Sequence, residues 1–364
     1  MIRNKSADSI SCRDKGMQES DDDEGGSGIF LRSFLQRMVK WESRGKPAHI
    51  MGVILATATL FILGTAMRGD WVLVLILAFK AWNSSHIPEL DDIQENDTVK
   101  LEPIHEEPQL MEGVYFYVGI SLVISFLTYY GMAWGLQYYY YIARRDRSHE
   151  WKCQPGKFLT KENERHEILL GSINMAFGAT VSGILACYIV NGGYTTLYYK
   201  VSDYGLAYFC FSIPAVFMFV DAVSFYFHMG FHHPIWYKRI HKTHHRYKQP
   251  TAFSATAMNP IEFFLLQAAI VIPLFTVPVH PGVFIGILMY TYYYGMIDHS
   301  GIKMEALWPW QPSSMFHDNH HQYFHCNYGF NTLLFDWLHG TLRRKDRFYS
   351  EKIFGGRGAA LKTE

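Results

Sequence analysis

The stretch "FHMGFHHPIWYKRIHKTHHRYKQP", residues 227–250, contains six of the chain's 18 histidines. It follows directly on an apolar run of membrane length, residues 204–227. Its histidines recur at spacings of three and four residues, and side chains with those spacings share one face of a helix. The stretch therefore predicts a long apolar helix that ends in a cluster of imidazole rings.

Five apolar segments alternate with polar loops along the chain. They are residues 49–67, 114–142, 167–192, 204–227 and 261–297. A helix needs about 20 residues to cross the roughly 30 Å of hydrocarbon in a bilayer, and the middle three segments meet that length. The first is marginal, and "WVLVLILAFKAW" at residues 71–82 either continues it or forms a helix in the membrane interface. The pattern predicts a multi-spanning membrane protein.

Loop charge predicts which side of the membrane each loop occupies. The loop at residues 81–113 holds one lysine and no arginine, whereas the loop at residues 143–166 holds seven basic residues. Because positively charged loops stay in the cytosol, the second loop is predicted to be cytosolic and the first lumenal. The spans that follow return the chain to the cytosol at about residue 228, where the histidines begin.

The last apolar segment, residues 261–297, is interrupted at its middle by prolines. Pro273, Pro278 and Pro281 lie within "PLFTVPVHPG", and proline breaks a helix. Each half has about 17 residues, which is just enough to cross or nearly cross the bilayer. We therefore expect a helical hairpin whose end lies on the same side as its start. The later histidines then share the cytosolic face, while His280 at the tip is predicted to be structural.

Thirteen of the 18 histidines lie between positions 228 and 339, and their spacings repeat. A pair at i, i+4 is followed by two HxxHH triplets, and one histidine precedes the second triplet. The candidate metal ligands are His228, His232, His241, His244, His245, His299, His317, His320 and His321. A single pair of this kind is typical of a solvated polar loop. The whole set on one membrane face favours a metal site, with each triplet pointing two or three ring nitrogens at one spot.

The number of candidate ligands indicates two metal ions, because one zinc takes only three or four protein ligands. Imidazole suits zinc, copper, iron and nickel, so the residue types leave the metal open. The chain contains no HExxH motif, which argues against a zinc peptidase of that class. The predicted fold class is all-α: a multi-spanning helical membrane protein with a cytosolic, histidine-rich metal cap.

Further side chains beside the histidines are candidates for a supporting role. Ligand histidines usually donate their second N–H to a carboxylate or carbonyl, and an acid inside a span is a functional candidate by default. An ordinary capping or surface role is as good an explanation for each. These additional candidates are His233, His325, Asp221, Asp298, Asp318 and Asp336.

Composition excludes several other classes of protein. The formal net charge of zero gives no indication of nucleic-acid binding. The five cysteines form no CxxC pair, so neither a disulfide scaffold nor a zinc finger is expected. The polar, acidic N-terminus is unlike a cleavable signal peptide. The predicted regions are a largely disordered cytosolic tail with a short basic segment (1–48), N-terminal spans (49–203), a catalytic domain (204–345) and a C-terminal tail (346–364).

The histidine motifs, taken in order, resemble those of the fatty acid hydroxylase superfamily, also called the sterol desaturase family. The matching text is "HMGFHHPIWYKRIHKTHH", "DHSG", "HDNHHQYFHCNYG" and "FDWLHGT", within residues 205–345. The resemblance is greatest to the branch of methylsterol monooxygenases, lathosterol oxidases and the fatty acid hydroxylase domain-containing protein 2 group. Two departures concern the substrate: Met229 follows His228 where an arginine is common, and Asn259 precedes Pro260 where many relatives have histidine.

The resemblance implies a membrane oxidoreductase that hydroxylates or desaturates a lipid. It implies that the nine histidines are ligands of a pair of non-haem irons, with dioxygen as co-substrate. Electrons would come from reduced cytochrome b5 or a similar carrier with its reductase, and the compartment would be the endoplasmic reticulum membrane. A sterol is the favoured substrate, and a fatty-acyl or sphingoid chain is the alternative. A hypothesis from another class is a non-catalytic metal-binding membrane protein.

Overall fold

The computed structural model describes residues 71–86, 109–306 and 308–361, together with Ile54. The predicted tail at residues 1–48, and the first apolar segment apart from Ile54, lie outside the described residues. The described helices are α1 Trp71–His86, α2 Val114–Leu136, α3 Ser148–Trp151, α4 Lys161–Val190, α5 Gly205–Phe231, α6 Pro234–Tyr237, α7 Pro260–Val271, α8 Pro273–Thr276, α9 Pro281–His299, α10 Ser314–Tyr323 and α11 Leu334–His339. A two-stranded antiparallel ribbon pairs β1 Arg347–Phe348 with β2 Ala359–Ala360. The predicted all-α class is confirmed.

Three of the helices are long and apolar enough to cross a membrane. They are Val114–Ile142, Lys161–Val190 and Gly205–Phe231, which confirms the three middle spans. The first of them is α2 extended by a π-helical turn, Gln137–Ile142. The shorter helix α1 packs into the bundle through Leu73 and Leu77, which are buried in the main apolar cluster.

Small residues let α2 and α4 approach each other closely. A Cβ added to Gly183 of α4 would lie 2.7 Å from the Cα of Val118 on α2. A Cβ on Gly171, three turns earlier, would meet the hydroxyl of Tyr129. Such small-residue faces are typical of helices that pack inside a membrane. There the hydrophobic effect does not drive helices together, and close van der Waals contact between their backbones stabilises the pair. The two helices therefore meet along a tight seam with no room for a side chain.

The predicted hairpin is present, and capping residues set its helix starts. Asn259 caps α7 and His280 caps α9, each accepting a hydrogen bond from the backbone N–H two residues on. A proline follows each cap at the first helical position, where its missing N–H costs nothing. His280 also bonds the carbonyl of Tyr199 through Nε2, at 3.1 Å. The structural role predicted for His280 therefore fits its contacts.

Contacts at the two ends of the bundle establish which loops lie together. At one end, Asn191 donates to the carbonyls of Leu110 and Glu112, and Thr196 bonds Leu274 beside the hairpin tip. At the other end, the basic loop after α2 pairs with the segment after α9 through the backbone bridge between Lys152 and Ile302. The basic loop and the histidines thus share one end, as the predicted topology requires.

Candidate metal centre

Nine histidines meet at that end of the bundle and form two groups. The five-histidine group is His228, His232, His241, His245 and His320, and the four-histidine group is His244, His299, His317 and His321. Within each group, the candidate ligand atoms all lie within 4.8 Å of one another. Every one of the nine side chains is buried. The structure thus brings together all nine candidate ligands named from the spacing.

The division into groups agrees with the expectation that each HxxHH triplet points two or three ring nitrogens at one spot. His241 and His245 belong to the five-histidine group, whereas His244 between them belongs to the other. On α10, His317 and His321 belong to the four-histidine group, whereas His320 belongs to the other. Adjacent residues of a helix are rotated by about 100–120°, so neighbouring rings diverge. Each triplet thus supplies two rings to one group and one ring to the other.

The spacing of the ring nitrogens fits bound metal ions. The Nε2 atoms of His245 and His241 are 3.0 Å apart, and His245 lies 3.2 Å from His232. In the second group, His299 Nε2 is 3.0 Å from His317 and 3.3 Å from His244. Two nitrogens bound at about 2.1 Å to one ion, at angles between right and tetrahedral, lie about 3.0–3.4 Å apart.

Among the residues that the structure describes, several ring nitrogens have no hydrogen-bond partner, which also points to a metal centre. They are both nitrogens of His321, Nε2 of His320 and Nδ1 of His317. A buried polar atom left unpaired costs about 1–3 kcal/mol. Binding an ion would offset that cost, so the donor set fits a metal centre.

Burial keeps these imidazoles neutral, which is the form that binds a metal. Removal from water lowers the pKa of six of the rings well below the usual value of histidine. They are His232, His241, His245, His317, His320 and His321. Neighbouring imidazoles lower the pKa of each further, because two cations would repel one another.

The rings of the five-histidine group are oriented through their other nitrogen. The Nδ1 atoms of His228 and His320 each bond a backbone carbonyl at 2.7 Å, that of Tyr328 and that of Cys326 respectively. His241 Nδ1 bonds the buried carboxylate of Glu262, also at 2.7 Å. Such partners fix the tautomer, so that Nε2 is free to bind a metal.

His232 is held through a second histidine rather than directly by an oxygen. Its Nδ1 lies 2.9 Å from Nδ1 of His325, whose Nε2 bonds the carbonyl of Glu351 at 3.0 Å. Phe354 packs on the His325 ring, and Lys242 forms an ion pair with Glu351. The segment after residue 346, predicted as a tail, therefore folds against the histidines as far as it is described.

The four-histidine group has its own oxygen partners. His244 Nδ1 bonds the carbonyl of Ala257 at 3.3 Å. His299 Nδ1 bonds the carbonyl of Gly295 at 2.9 Å and also the carboxylate of Asp298. The predicted supporting role of Asp298 therefore fits its contacts.

The other supporting candidates divide into those near the histidines and those apart from them. Asp336 accepts bonds from the backbone N–H groups of Tyr328 and Gly329 and so shapes the loop that holds His228. Asp221 binds residues 331–332 and touches no histidine of the cluster. His233 is exposed and caps α6, so of the two alternatives left open for it the capping role fits its contacts. Its neighbour His232 is buried, because the chain turns between α5 and α6 at these two residues.

Glu262 is the side chain that sequence reasoning missed. It lies in α7, an otherwise apolar helix, and an acid within an apolar span is itself a signal of function. That signal was available at Glu262 as much as at Asp221. The carboxylate–histidine pair is a common means of raising the affinity of a metal ligand.

Glu262→Gln is expected to weaken metal binding by about 10–100-fold while leaving the fold intact. Glutamine preserves the size of the side chain and can still accept the bond from His241, but it removes the negative charge. Competition with a chelator of known affinity measures the change. As a matched control, Gln267→Glu alters the same helix away from the histidines, beside Tyr292. An affinity of Glu262→Gln equal to that of the unchanged chain would contradict the assigned role.

Comparisons with known proteins agree with this site. Residues 213–341 match the model of the family described as fatty acid hydroxylase. Lathosterol oxidase of Mus musculus is 32% identical over 160 residues, which are 43% of this chain and 54% of that protein. Delta(7)-sterol 5(6)-desaturase erg31 of Schizosaccharomyces pombe is 32% identical over 172 residues, 47% of this chain and 57% of that protein.

A longer match is Delta(7)-sterol 5(6)-desaturase ERG3A of Gibberella zeae, 24% identical over 276 residues, 76% of each chain. The chain spans about half the length of the first two relatives. No solved structure matches it. Buried histidines at one end of membrane-length helices define a histidine-rich membrane metalloprotein. The matches add that residues 213–341 are similar to the fatty acid hydroxylase family, and that this part of the chain resembles sterol oxidases and desaturases.

Proposed function

We propose that this protein is a dioxygen-dependent oxidoreductase that hydroxylates or desaturates a membrane lipid, with a sterol as the substrate. The observation that carries the proposal is the pair of buried histidine groups at the end of the membrane-length helices. Nine neutral imidazoles exceed what one ion can bind. A store or scaffold protein would have no need to bury two adjacent ions where the helices emerge from the bilayer.

Two iron ions are the proposed cofactors, one for each group. His228, His232, His241, His245 and His320 would hold one ion, and His244, His299, His317 and His321 the other. Iron bound there supplies the activation of dioxygen and the cleavage of an unactivated C–H bond. Imidazole also binds zinc and copper, so the choice of iron rests on the family.

The protein's own residues orient the ligands and exclude water. Glu262, Asp298 and the carbonyls of Tyr328, Cys326 and Ala257 fix the ring orientations. Burial of all nine rings keeps bulk water from the centre, which protects a reactive oxidant from side reactions. Because His228 lies in the last turn of the span α5, a lipid in the bilayer would need to extend only to the helix end.

The sterol assignment is supported by relatives named lathosterol oxidase and sterol desaturase. We further propose residence in the endoplasmic reticulum membrane, histidines facing the cytosol, and electron supply by cytochrome b5 or a similar carrier. The seven basic residues of the loop at 143–166 support the cytosolic orientation. Residues 204–345 are proposed as the catalytic domain and 49–203 as the preceding spans, because the family match lies within the former.

The purified protein, in lipid nanodiscs and loaded with Fe(II), is expected to bind two irons per chain. With a reducing system, a 7-ene sterol should then yield an oxidised product only when oxygen is present. Ceramide and free fatty acid in parallel reactions distinguish the acyl alternative. Tight zinc binding, with no iron and no oxygen-dependent product from any of these lipids, would overturn the oxygenase proposal in favour of the non-catalytic alternative.

A further inference from the structure

Residues of the N-terminal helices anchor segments that support the four-histidine group. The direct oxygen partners of this group are Asp298 and the carbonyls of Ala257 and Gly295. Residues of α4 bond the loop that contains Ala257, and Tyr141 bonds the segment after Asp298. These N-terminal residues precede the segment that the family model matches.

The first such contact acts on the loop that orients His244. Asn174 of α4 donates from Nδ2 to the carbonyls of Thr256 and Met258, both at 2.7 Å. These two carbonyls flank Ala257, whose own carbonyl accepts the bond from His244. Asn174 is fully buried, so the two bonds form without competition from water and hold Ala257 in place.

About two turns earlier on α4, Glu167 holds the same loop. Its Oε1 accepts bonds from the hydroxyls of Thr251 and Ser254, at 2.6 and 2.7 Å. The loop that contains Ala257 is thus tied to α4 along its whole length. A side-chain anchor of this kind fixes the direction in which a supporting carbonyl points.

A second set of contacts acts on the segment that follows His299. The hydroxyl of Tyr141 donates to the carbonyls of Pro250 and Ser300, at 2.8 and 2.6 Å. Beyond it, the backbone N–H of Cys153 bonds the carbonyl of Gly301 at 2.9 Å. Gly301 has a positive φ, and a Cβ there would collide with the carbonyl of Pro250. The end of α9, and with it His299, is therefore held by the N-terminal part of the chain.

A third contact reaches the helix that carries His317 and His321. The Sγ of Cys153 lies 3.7 Å from the Oγ of Ser314, the first residue of α10, and both side chains are buried. The basic loop therefore contacts the start of this helix.

From these three contacts we propose that the N-terminal helices position the four-histidine group. Asn174 and Tyr141 are thus positioning residues for one of the two metal ions. The inference rests on the proposed binding of two ions. It assigns to α2 and α4, besides crossing the membrane, the task of completing the second metal site.

The test counts metal ions in the full-length protein in nanodiscs, with iron or cobalt as the probe. The chain offers a matched control, because Asn191 also donates from Nδ2 to two carbonyls, at the opposite end of α4. Asn174→Ala is expected to bind one ion as before and the second about 10–100-fold more weakly. Asn191→Ala is expected to bind both ions as the unchanged chain does.

Combination with a ligand variant identifies the affected group. Asn174→Ala with His321→Ala should still bind one ion, because both changes act on the four-histidine group. Asn174→Ala with His320→Ala should bind neither tightly. If Asn174→Ala does not fold, a milder pair of variants repeats the comparison without creating a cavity. Tyr141→Phe is the test variant, and Tyr130→Phe is its control, because the Tyr130 hydroxyl bonds Ser172.

The inference would be overturned if Asn174→Ala and Tyr141→Phe bound both ions equally weakly, or bound both as tightly as the unchanged chain. If the unchanged chain still bound two ions, the proposed function would stand. An unchanged chain that binds no ion, or a single one, would instead overturn the two-metal proposal itself. The metal count separates the two failures without any measurement of lipid turnover.

Discussion

His244→Ala and His320→Ala are each expected to lower lipid oxidation below about 1% of the unchanged protein. Loss of a supporting partner of a ligand costs about 10–100-fold, and loss of the ligand itself should cost at least the upper end of that range. The two positions sample the four-histidine and the five-histidine group respectively. Product formation per chain and the iron count, measured on the same preparation, check the result.

Insertion into the membrane should be unaffected by either change, because both histidines follow the span α5. His233→Ala is the matched control: it removes an imidazole next to His232, but one that is exposed and outside both groups. It is expected to retain two irons and its activity. Normal product formation by both ligand variants would refute the ligand assignment, and loss of activity in the control would show that folding, not metal binding, was affected.

Asp336→Ala is expected to lower the free energy of unfolding by about 3 kcal/mol or more, because buried donors then lose their acceptor. The carboxylate accepts from the backbone N–H groups of Tyr328 and Gly329 and from the hydroxyl of Thr341. The loop that it shapes presents the carbonyl of Tyr328 to His228. We therefore also expect weaker binding of the ion in the five-histidine group. Thermal unfolding in detergent, with and without added metal, measures both effects.

Asp346→Ala is the control for this prediction. Asp346 is exposed and forms a salt bridge with Arg344, and exposed pairs of this kind contribute little to stability. The two aspartates lie ten positions apart but differ in burial, so their comparison isolates the buried hydrogen bonds. Equal melting temperatures of the two variants would contradict the role given to Asp336.

The nine candidate ligands could be named from the sequence because metal binding demands particular side chains at particular spacings. Membrane spans are similarly visible, since length and hydropathy suffice to identify them. The division into two groups was not visible, because it depends on the directions of neighbouring rings such as His244 and His245. Adjacent helical residues diverge because of their rotation about the helix axis, but the group that each ring joins is set by tertiary packing.

The supports of the ligands were harder to predict than the ligands. Four of them are backbone carbonyls, of Ala257, Gly295, Cys326 and Tyr328. Every residue has a carbonyl, so residue type does not indicate which one supports a ligand. Asn174 and Tyr141 act from distant parts of the chain, so no local pattern connects them to the histidines. Asp298 could be named because it adjoins His299, and Glu262 carried a signal as an acid in an apolar helix.

The tight seam between α2 and α4 limits the route by which a lipid reaches the histidines. Their backbones touch at Gly183, and the Tyr129 hydroxyl fills the space at Gly171. A sterol ring system cannot pass between helices that lack room for one methyl group. We expect the substrate to enter from the bilayer on another side of the bundle. Mutations that replace large side chains by small ones should therefore ease substrate entry on that side and have no such effect at the seam between α2 and α4.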